Sequence, residues 1–328
     1  MLSNSQSFFL HQKKEMEVFF WKYGYLHIKN VYTQKDVNSF LEADKDLVDI
    51  EKDLSCYPNL SQLPSNKQLI DALSHVLKGE LVYSFDSSIC INTSTDEKLK
   101  PSQLLHRDNQ AEFNFNTNFP VVRCGVYWQD YTKASGGPKV AIGSHKHEYI
   151  SLNFTFKKLI WLFLRFSKWG CKYIYNKRIK NKIKIDPTVE LLPNQLNLKN
   201  LKFFPKYVNL YPRPGDLLLW NIRTLHQGYA RKILFFPNLS LGARLESLIP
   251  WFLCAKKASP RTAAFFVLQT DDELAQEYRK KRIHALTKKH WSYQPLKSSI
   301  QTLEENFHKI DLSGYKKNNL KESPETLL

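Results

Sequence analysis

The spacing of apolar and polar positions divides the chain into three parts. In the first, up to about residue 80, apolar side chains recur at helical intervals. This spacing predicts three helices, over Phe8–Phe20, Lys35–Ile50 and Asn66–Leu77. Thr33 is the predicted N-cap of the second helix, and the alternating stretch Gly24–Val31 predicts a short strand between the first two.

From residue 80 onward, the spacing of apolar residues is typical of short strands. Six runs rich in β-branched and aromatic residues follow one another: Leu81–Ile91, Val121–Tyr131, Lys139–Ile142, Tyr207–Tyr211, Asp216–Asn221 and Arg261–Gln269. Turn signals at Ser135–Pro138 and Pro212–Asp216 separate some of them. Because no helices alternate with these strands, the pattern predicts a sandwich or a barrel.

We therefore expect one β core that is flanked by helices. Residues 1–80 are the predicted N-terminal helical region packed on the barrel, and 81–270 are the core. Helical spacing returns at Asp271, so that 271–328 form a C-terminal helical region with a polar tail. A chain of 328 residues is long enough to bury a sizeable core.

Composition and charge narrow the class of protein. Hydrophobic residues make up 42% of the chain, far more than in a disordered protein. The formal net charge is +17, from 48 Lys and Arg against 31 Asp and Glu. Residues 151–206 hold 13 of the basic residues and only two acidic ones, so most of the excess belongs to one insertion in the predicted core.

This basic insertion mixes cations with bulky apolar side chains, mainly over 156–185. Three interpretations are open. It is a lid that also contacts an anionic membrane surface, a nucleic-acid-binding element, or a helix that packs on the barrel and keeps its lysines in water. Nucleic-acid binding is the least favoured, because charge alone supports it.

The cysteines and the apolar runs bear on the compartment. Five cysteines, an odd number without Cys-x-x-Cys spacing, disfavour a disulfide framework and a zinc knuckle. The sequence shows neither a signal-peptide pattern nor an apolar run of membrane-spanning length. We expect a cytoplasmic protein, or one that is peripheral at the inner face of a membrane if the basic insertion contacts lipid.

One short motif carries candidate chemistry. His106 and Asp108 stand two positions apart, and in a strand residues i and i+2 point to the same face. An imidazole and a carboxylate can then face one metal ion, and a second histidine from a neighbouring strand would complete the set. Two histidines and one carboxylate leave three positions open, which is typical of non-haem Fe(II) sites that activate dioxygen.

The order of the motifs resembles the phytanoyl-CoA dioxygenase family of Fe(II)/2-oxoglutarate-dependent oxygenases. Six stretches carry the resemblance: Trp21–Val31, His106–Asp108, Val121–Asp130, Gly136–Lys146, Pro214–Asn221 and Thr224–His226. It covers roughly residues 15–270 without the basic insertion. The fold that it implies is mainly β with flanking helices, a double-stranded β-helix (a cupin-like jelly roll).

The same resemblance implies the site residues. His106, Asp108 and His226 correspond to the iron ligands and catalytic residues, with 2-oxoglutarate as cosubstrate and dioxygen as oxidant. Halogenating relatives lack the carboxylate, so Asp108 favours hydroxylation. The Gly-Ser-His stretch and the Pro-Gly-Asp stretch have expected roles in shaping loops and turns.

The arginine that binds the distal carboxylate of 2-oxoglutarate is harder to place. In the family it begins the strand after the distal histidine, but at the usual distance from His226 this chain has Pro237. Three arginines compete for the role: Arg261, Arg244 and Arg231. Arg261 is favoured because it begins the most strand-like run, which requires an enlarged loop before it.

These observations predict an Fe(II)/2-oxoglutarate-dependent dioxygenase of the hydroxylase type that releases succinate and CO2. The expected substrate is a small molecule or a lipid-linked compound, and the basic insertion favours an acidic one. The alternative is a non-catalytic jelly-roll binding module, or a peripheral membrane or nucleic-acid binder that acts through the insertion.

Overall fold

The computed structural model describes most of the chain outside the basic insertion. The described residues are 6–44, 53–92, 105–108, 118–150, 201–203, 205–228, 231–237, 239–241, 246, 248–256, 261–286 and 295–312, with isolated residues between 160 and 199. Among them, no helix has both the length and the apolar character needed to cross a bilayer.

Besides three short 3-10 helices (Leu54–Cys56, Leu60–Gln62 and Trp251–Leu253), the elements whose bounds are described are five α-helices and eleven strands. The helices are α1 (Lys13–Tyr23), α2 (Gln34–Asp44), α3 (Lys67–Leu77), α4 (Glu273–Leu286) and α5 (Lys297–Asn306). The strands are β1 (Tyr25–Ile28), β2 (Leu81–Asn92), β3 (Val121–Tyr127), β4 (Lys139–Ala141), β5 (Glu148–Ile150), β6 (Leu201–Phe203), β7 (Tyr207–Asn209), β8 (Leu217–Asn221), β9 (His226–Gln227), β10 (Arg261–Thr270) and β11 (Lys309–Ile310).

Two sheets form the core. The larger has the order β1-β8-β3-β10-β2-β11, and the smaller has the order β7-β4-β9. The chain crosses repeatedly from one sheet to the other, and His226 of the smaller sheet packs its ring on Trp220 of the larger, 4.7 Å between centroids. This is the topology of a double-stranded β-helix, so the predicted fold class is confirmed.

The larger sheet separates the helices from the barrel interior. Alternate residues of β3, Val122, Cys124 and Val126, share a hydrophobic core with α1 and α3. The residues between them face the other way. Arg123 is one of these, and it lies directly opposite Trp220 on β8. Helices α1 and α3 thus cover the outer face, and the inner face around Arg123 and Trp220 is left for a site.

The N-terminal helices follow the predictions with one exception. Thr33 and Asp36 cap α2 reciprocally, the side chain of each accepting the backbone N–H of the other at 3.2 and 2.7 Å. The predicted end of this helix at Ile50 lies outside the described residues. The prediction that a helix begins at Phe8 is wrong, because α1 begins at Lys13. Phe8 instead forms a bridge to Ile28, and its fully buried ring packs edge-on against Phe19.

The two ends of the basic insertion meet at a small parallel sheet. Residues 148–150 of β5 pair with 201–203 of β6. The segment between these strands lies largely outside the described residues, including most of 156–185. Of its described side chains, Phe163 and Trp169 are exposed. The three interpretations of the insertion remain predictions.

Candidate metal centre

Three of the predicted site residues converge at one point inside the barrel. His106, Asp108 and His226 each offer a ligand atom, and these atoms lie within 4.8 Å of one another. The Oδ1 atom of Asp108 is 3.6 Å from Nε2 of His226 and 3.9 Å from Nε2 of His106. Two imidazoles and one carboxylate therefore face a common position.

The backbone explains why the two histidines meet. His106 and His226 exchange two backbone hydrogen bonds, each 2.8 Å long, in an isolated antiparallel bridge. Residues paired in this way have side chains on the same face, and the two rings lie 4.4 Å apart between centroids. Asp108 follows His106 by two positions and returns to that face, as its spacing predicted.

The protonation state of His226 is set by its surroundings. Its Nδ1 lies 3.0 Å from the carbonyl oxygen of Thr224, so Nδ1–H donates and the lone pair of Nε2 faces the cluster. Burial, reinforced by the nearby His106 and opposed by Asp108, lowers the pKa of His226 to about 4. The ring is therefore neutral at pH 7, as metal ligation requires.

Asp108 is oriented by an indole. Trp220 donates its Nε1–H to Oδ2 at 3.0 Å, which leaves Oδ1 toward the two histidines. Burial alone would raise the pKa of Asp108, but His226, which is protonated in the acidic range where Asp108 titrates, the charge of Arg123 and the bond from Trp220 hold it below its ordinary value. The carboxyl group is consequently ionised at neutral pH.

Arg107, between the two ligands of the motif, faces away from the cluster and anchors the loop. It is buried, and its guanidinium donates to three backbone carbonyls, of Arg223 at 2.7 Å, Ser144 at 3.1 Å and His147 at 2.8 Å. These bonds join the loop of His106 to the turn before His226. They fix the relative position of chain segments that are far apart in sequence.

The Gly-Ser-His stretch supports the same turn. The Ser144 hydroxyl accepts the backbone N–H of Leu225 at 2.7 Å and donates to Ala141 at 2.6 Å. The buried His145 donates from Nε2 to the carbonyl of Trp21, 3.2 Å away. Gly24 has a φ of 82°, and a Cβ there would lie 2.3 Å from the His145 ring. The stretch thus shapes the loop beside His226, the role expected for it.

The Pro-Gly-Asp stretch is a turn that starts β8. Asp216 accepts the backbone N–H groups of Arg213 and Asn30 at 2.9 and 3.1 Å. Its Oδ2 also lies 2.9 Å from Nε2 of His27. Burial would raise the pKa of Asp216, but these bonds hold it below the ordinary value. This carboxylate is satisfied within the turn, in keeping with its predicted role.

Of the comparisons with known proteins, the one with solved structures found similar chains. No family model matches the chain, and no curated protein is significantly similar to it. The solved structures that match include HygX from Streptomyces hygroscopicus with nickel and 2-oxoglutarate bound, at 15% identity and a TM-score of 0.46, over 79% of this chain and 86% of that one. EctD from S. alaskensis with 2-oxoglutarate and 5-hydroxyectoine matches at 12% identity and a TM-score of 0.46, over 78% and 75%.

A third match is the non-heme alpha ketoglutarate dependent carbocyclase SnoK from nogalamycin biosynthesis. It is 14% identical, with a TM-score of 0.46, over 82% of this chain and 88% of its own. At such identities and scores, the function of the present chain has to be argued from its own residues.

The three arginines proposed for 2-oxoglutarate have different positions. Arg231 donates from Nη1 to the carbonyls of Ile249 at 2.6 Å and Glu246 at 3.4 Å, so its head group is held by backbone. Arg244 lies outside the described residues. Arg261 is the first residue of β10, opposite Asn92. The contacts of Arg231 are those of a loop anchor.

A fourth arginine, Arg123, was not singled out from the sequence. It is half-buried on the inner face of β3, with Nη2 donating to the Ser88 hydroxyl at 3.1 Å. Its guanidinium lies over the ring of Phe265, 5.5 Å from the centroid. A single cation within the apolar run of β3 was the signal that could have identified it.

Proposed function

We propose that the protein is an Fe(II)/2-oxoglutarate-dependent dioxygenase that hydroxylates a small molecule and releases succinate and CO2. The observation that carries this proposal is the convergence of His106, Asp108 and His226 inside a double-stranded β-helix. The resemblance of the motif order to the phytanoyl-CoA dioxygenase family supports it further. We place the protein near that family on the same grounds.

The donor atoms fit ferrous iron. A neutral imidazole and an ionised carboxylate together form a donor set of intermediate hardness, and a facial set of three leaves room for a bidentate cosubstrate and dioxygen. The other acceptor of Asp108 and the other nitrogen of His226 are already bonded to Trp220 and Thr224. Such outer bonds orient the ligands of a metal and raise its affinity.

The residues have distinct tasks in this proposal. His106, Asp108 and His226 would hold the iron, which together with 2-oxoglutarate and dioxygen supplies the oxidising chemistry when bound. Trp220 packs against both His226 and Phe265, at 4.7 and 6.1 Å between ring centroids, and so forms an apolar wall that keeps water from this side. The carboxylate of Asp108 occupies a ligand position, which favours hydroxylation.

The test combines a binding measurement with a turnover measurement. Under anaerobic conditions, Fe(II) and 2-oxoglutarate added to the protein are expected to give the weak visible absorption of the keto-acid chelate. In air, a screen of small-molecule substrates is then expected to reveal succinate release that the His106→Ala variant lacks. Iron binding without either signal would contradict the proposal and favour the non-catalytic binding module.

A further inference from the structure

Arg123 is a charged side chain inside the barrel without a carboxylate partner among the described residues. Its neighbours there are the neutral hydroxyl of Ser88 and the ring of Phe265. A guanidinium carries five N–H donors and a permanent charge, so one hydroxyl and one ring satisfy only part of it. Arg123 is half-buried, and charges that are partly removed from water are ordinarily paired, so its remaining donors are available to an anion.

The position of Arg123 relates it to the metal cluster. In the sheet register it lies between Trp220 on β8 and Val267 on β10, and Trp220 is the residue that bonds to Asp108. The charge of Arg123 also contributes to the pKa of both Asp108 and His226, lowering each. The side chain therefore starts at the level of the cluster, on the same inner face.

From that level the guanidinium points further along the barrel. It extends over Phe265 to Ser88, and these two residues are opposite each other on β10 and β2. Phe265 in turn packs edge-on against Trp220. The guanidinium of Arg123 thus lies beyond Trp220, the residue that borders the metal cluster. Its contacts with Phe265 and Ser88 limit its movement.

The backbone of Arg261, the residue favoured from the sequence, is at the other end of the sheet. It precedes Val267 by six residues on β10. At ~3.3 Å per residue, its Cα is about 20 Å along the strand from the level of Arg123. The backbone of Arg261 is therefore well removed from the level of the cluster, at which the Arg123 side chain starts.

We infer that Arg123 binds the distal carboxylate of 2-oxoglutarate and that Ser88 orients its guanidinium. The inference rests on the proposed function. A keto acid that chelates a metal held by His106, Asp108 and His226 carries its second carboxylate a few bonds away. Arginine pairs with a carboxylate through two parallel N–H bonds, which selects a dicarboxylate over a monocarboxylate. The selectivity for 2-oxoglutarate then comes from a residue of β3. Binding of the distal carboxylate therefore does not require an arginine at the usual distance after His226.

The experiment compares two keto acids that chelate iron in the same way. The Fe(II)-loaded protein is titrated anaerobically with 2-oxoglutarate and with pyruvate, which lacks the distal carboxylate, and the visible absorption of each chelate is followed. Wild type is expected to prefer 2-oxoglutarate. Arg123→Gln is expected to bind it on the order of 10- to 100-fold more weakly, as on loss of a charge-assisted pair, with unchanged affinity for pyruvate. Arg123→Lys, a point charge, is expected to fall between them.

Three further variants complete the experiment. Arg213→Gln removes the same charge from an exposed position and is expected to behave as wild type. Ser88→Ala is expected to lower the preference for 2-oxoglutarate over pyruvate by a few-fold, since it only positions Arg123. Arg261→Gln is the competing candidate and is expected to retain the preference.

The outcomes separate this inference from the proposed function. An unchanged preference in Arg123→Gln, or an equal loss for both keto acids, overturns the inference, and so does a lost preference in Arg261→Gln alone. In those cases the wild-type chelate still supports the function. A wild type that binds iron but neither keto acid overturns both.

Discussion

The indole of Trp220 donates a hydrogen bond to Asp108 across a separation of 112 residues, with 3.0 Å between Nε1 and Oδ2. The bond turns the other carboxylate oxygen, Oδ1, toward the two histidines. The same indole packs on the ring of His226. One side chain of the larger sheet thus positions two of the three candidate ligands, which come from other parts of the barrel.

Replacing this indole by a phenyl ring tests its role. Trp220→Phe keeps most of the packing but removes the N–H donor, so the pKa of Asp108 rises and the carboxylate is free to rotate. Bonds of this kind are typically worth about 10- to 100-fold in metal affinity, and we expect that loss in an anaerobic Fe(II) titration. Trp128→Phe is the matched control, because its buried Nε1 has no partner within the described residues. An equal loss in both variants would contradict the assignment.

Removal of the carboxylate is a more severe change. Asp108→Ala takes away the only anionic member of the cluster, so iron affinity and 2-oxoglutarate turnover are expected to collapse together. Iron content after gel filtration and succinate release measure the two effects. Asp130→Ala, at an exposed loop position, serves as a control for the loss of one negative charge. Retained turnover in Asp108→Ala would rule out Asp108 as a ligand.

The buried His145 predicts a pH dependence of stability. Burial lowers the pKa of His145 to about 3, from an unfolded value of 6.5. Between these values the unfolded chain binds the extra proton, so stability is complete above pH 6.5 and falls as the pH decreases, by at most about 1.4 kcal/mol per pH unit. His145→Gln is expected to have a flatter profile in urea unfolding between pH 7.5 and 4.5. Parallel profiles of the two proteins would show that His145 does not titrate in this way.

The enlarged loop before β10 is held by a buried ion pair. Lys139 Nζ lies 2.7 Å from Glu246 Oε2, and the two side chains are 0% and 2% exposed. Lys139→Met leaves Glu246 buried without its cation and is expected to cost about 3–5 kcal/mol of unfolding free energy. The double variant Lys139→Met/Glu246→Gln is expected to lose less unfolding free energy than Lys139→Met alone, because no unpaired charge remains. Urea unfolding of the two single variants and the double variant measures these losses. If the double variant loses the sum of the free energies lost by Lys139→Met and by Glu246→Gln, the two residues are not coupled.

Part of the candidate site could be predicted from the sequence. The spacing of His106 and Asp108 carries its own geometric signal, since positions i and i+2 of a strand share a face. His226 has no such local signal and was identified by resemblance alone. Trp220 looks like any core residue of β8, and Thr224 acts through its carbonyl oxygen, which is present at every position. Their roles depend on contacts between distant segments, which single-chain patterns do not encode.

The fold shows the same division between local and distant causes. The long runs that became β2, β3 and β10 were predicted to within a few residues, because alternation over many positions is a strong signal. The short strands β5, β6 and β11 were missed, since each is defined by its pairing with another strand. Phe8 was assigned to a helix because its spacing fits one, whereas the buried ring is satisfied by an extended segment that docks on Ile28 and Phe19.

The backbone bridge between His106 and His226 has a thermodynamic consequence. Each histidine is placed by the hydrogen bonds of the other, so the unfolded chain has no preformed pair of ligands. A metal that occupies this cluster binds the folded state more tightly than the unfolded chain and stabilises it by mass action, by up to about 2.7 kcal/mol at a free concentration one hundred times the dissociation constant. A rise in the melting temperature with added ferrous ion would therefore measure occupancy directly, before any substrate is known.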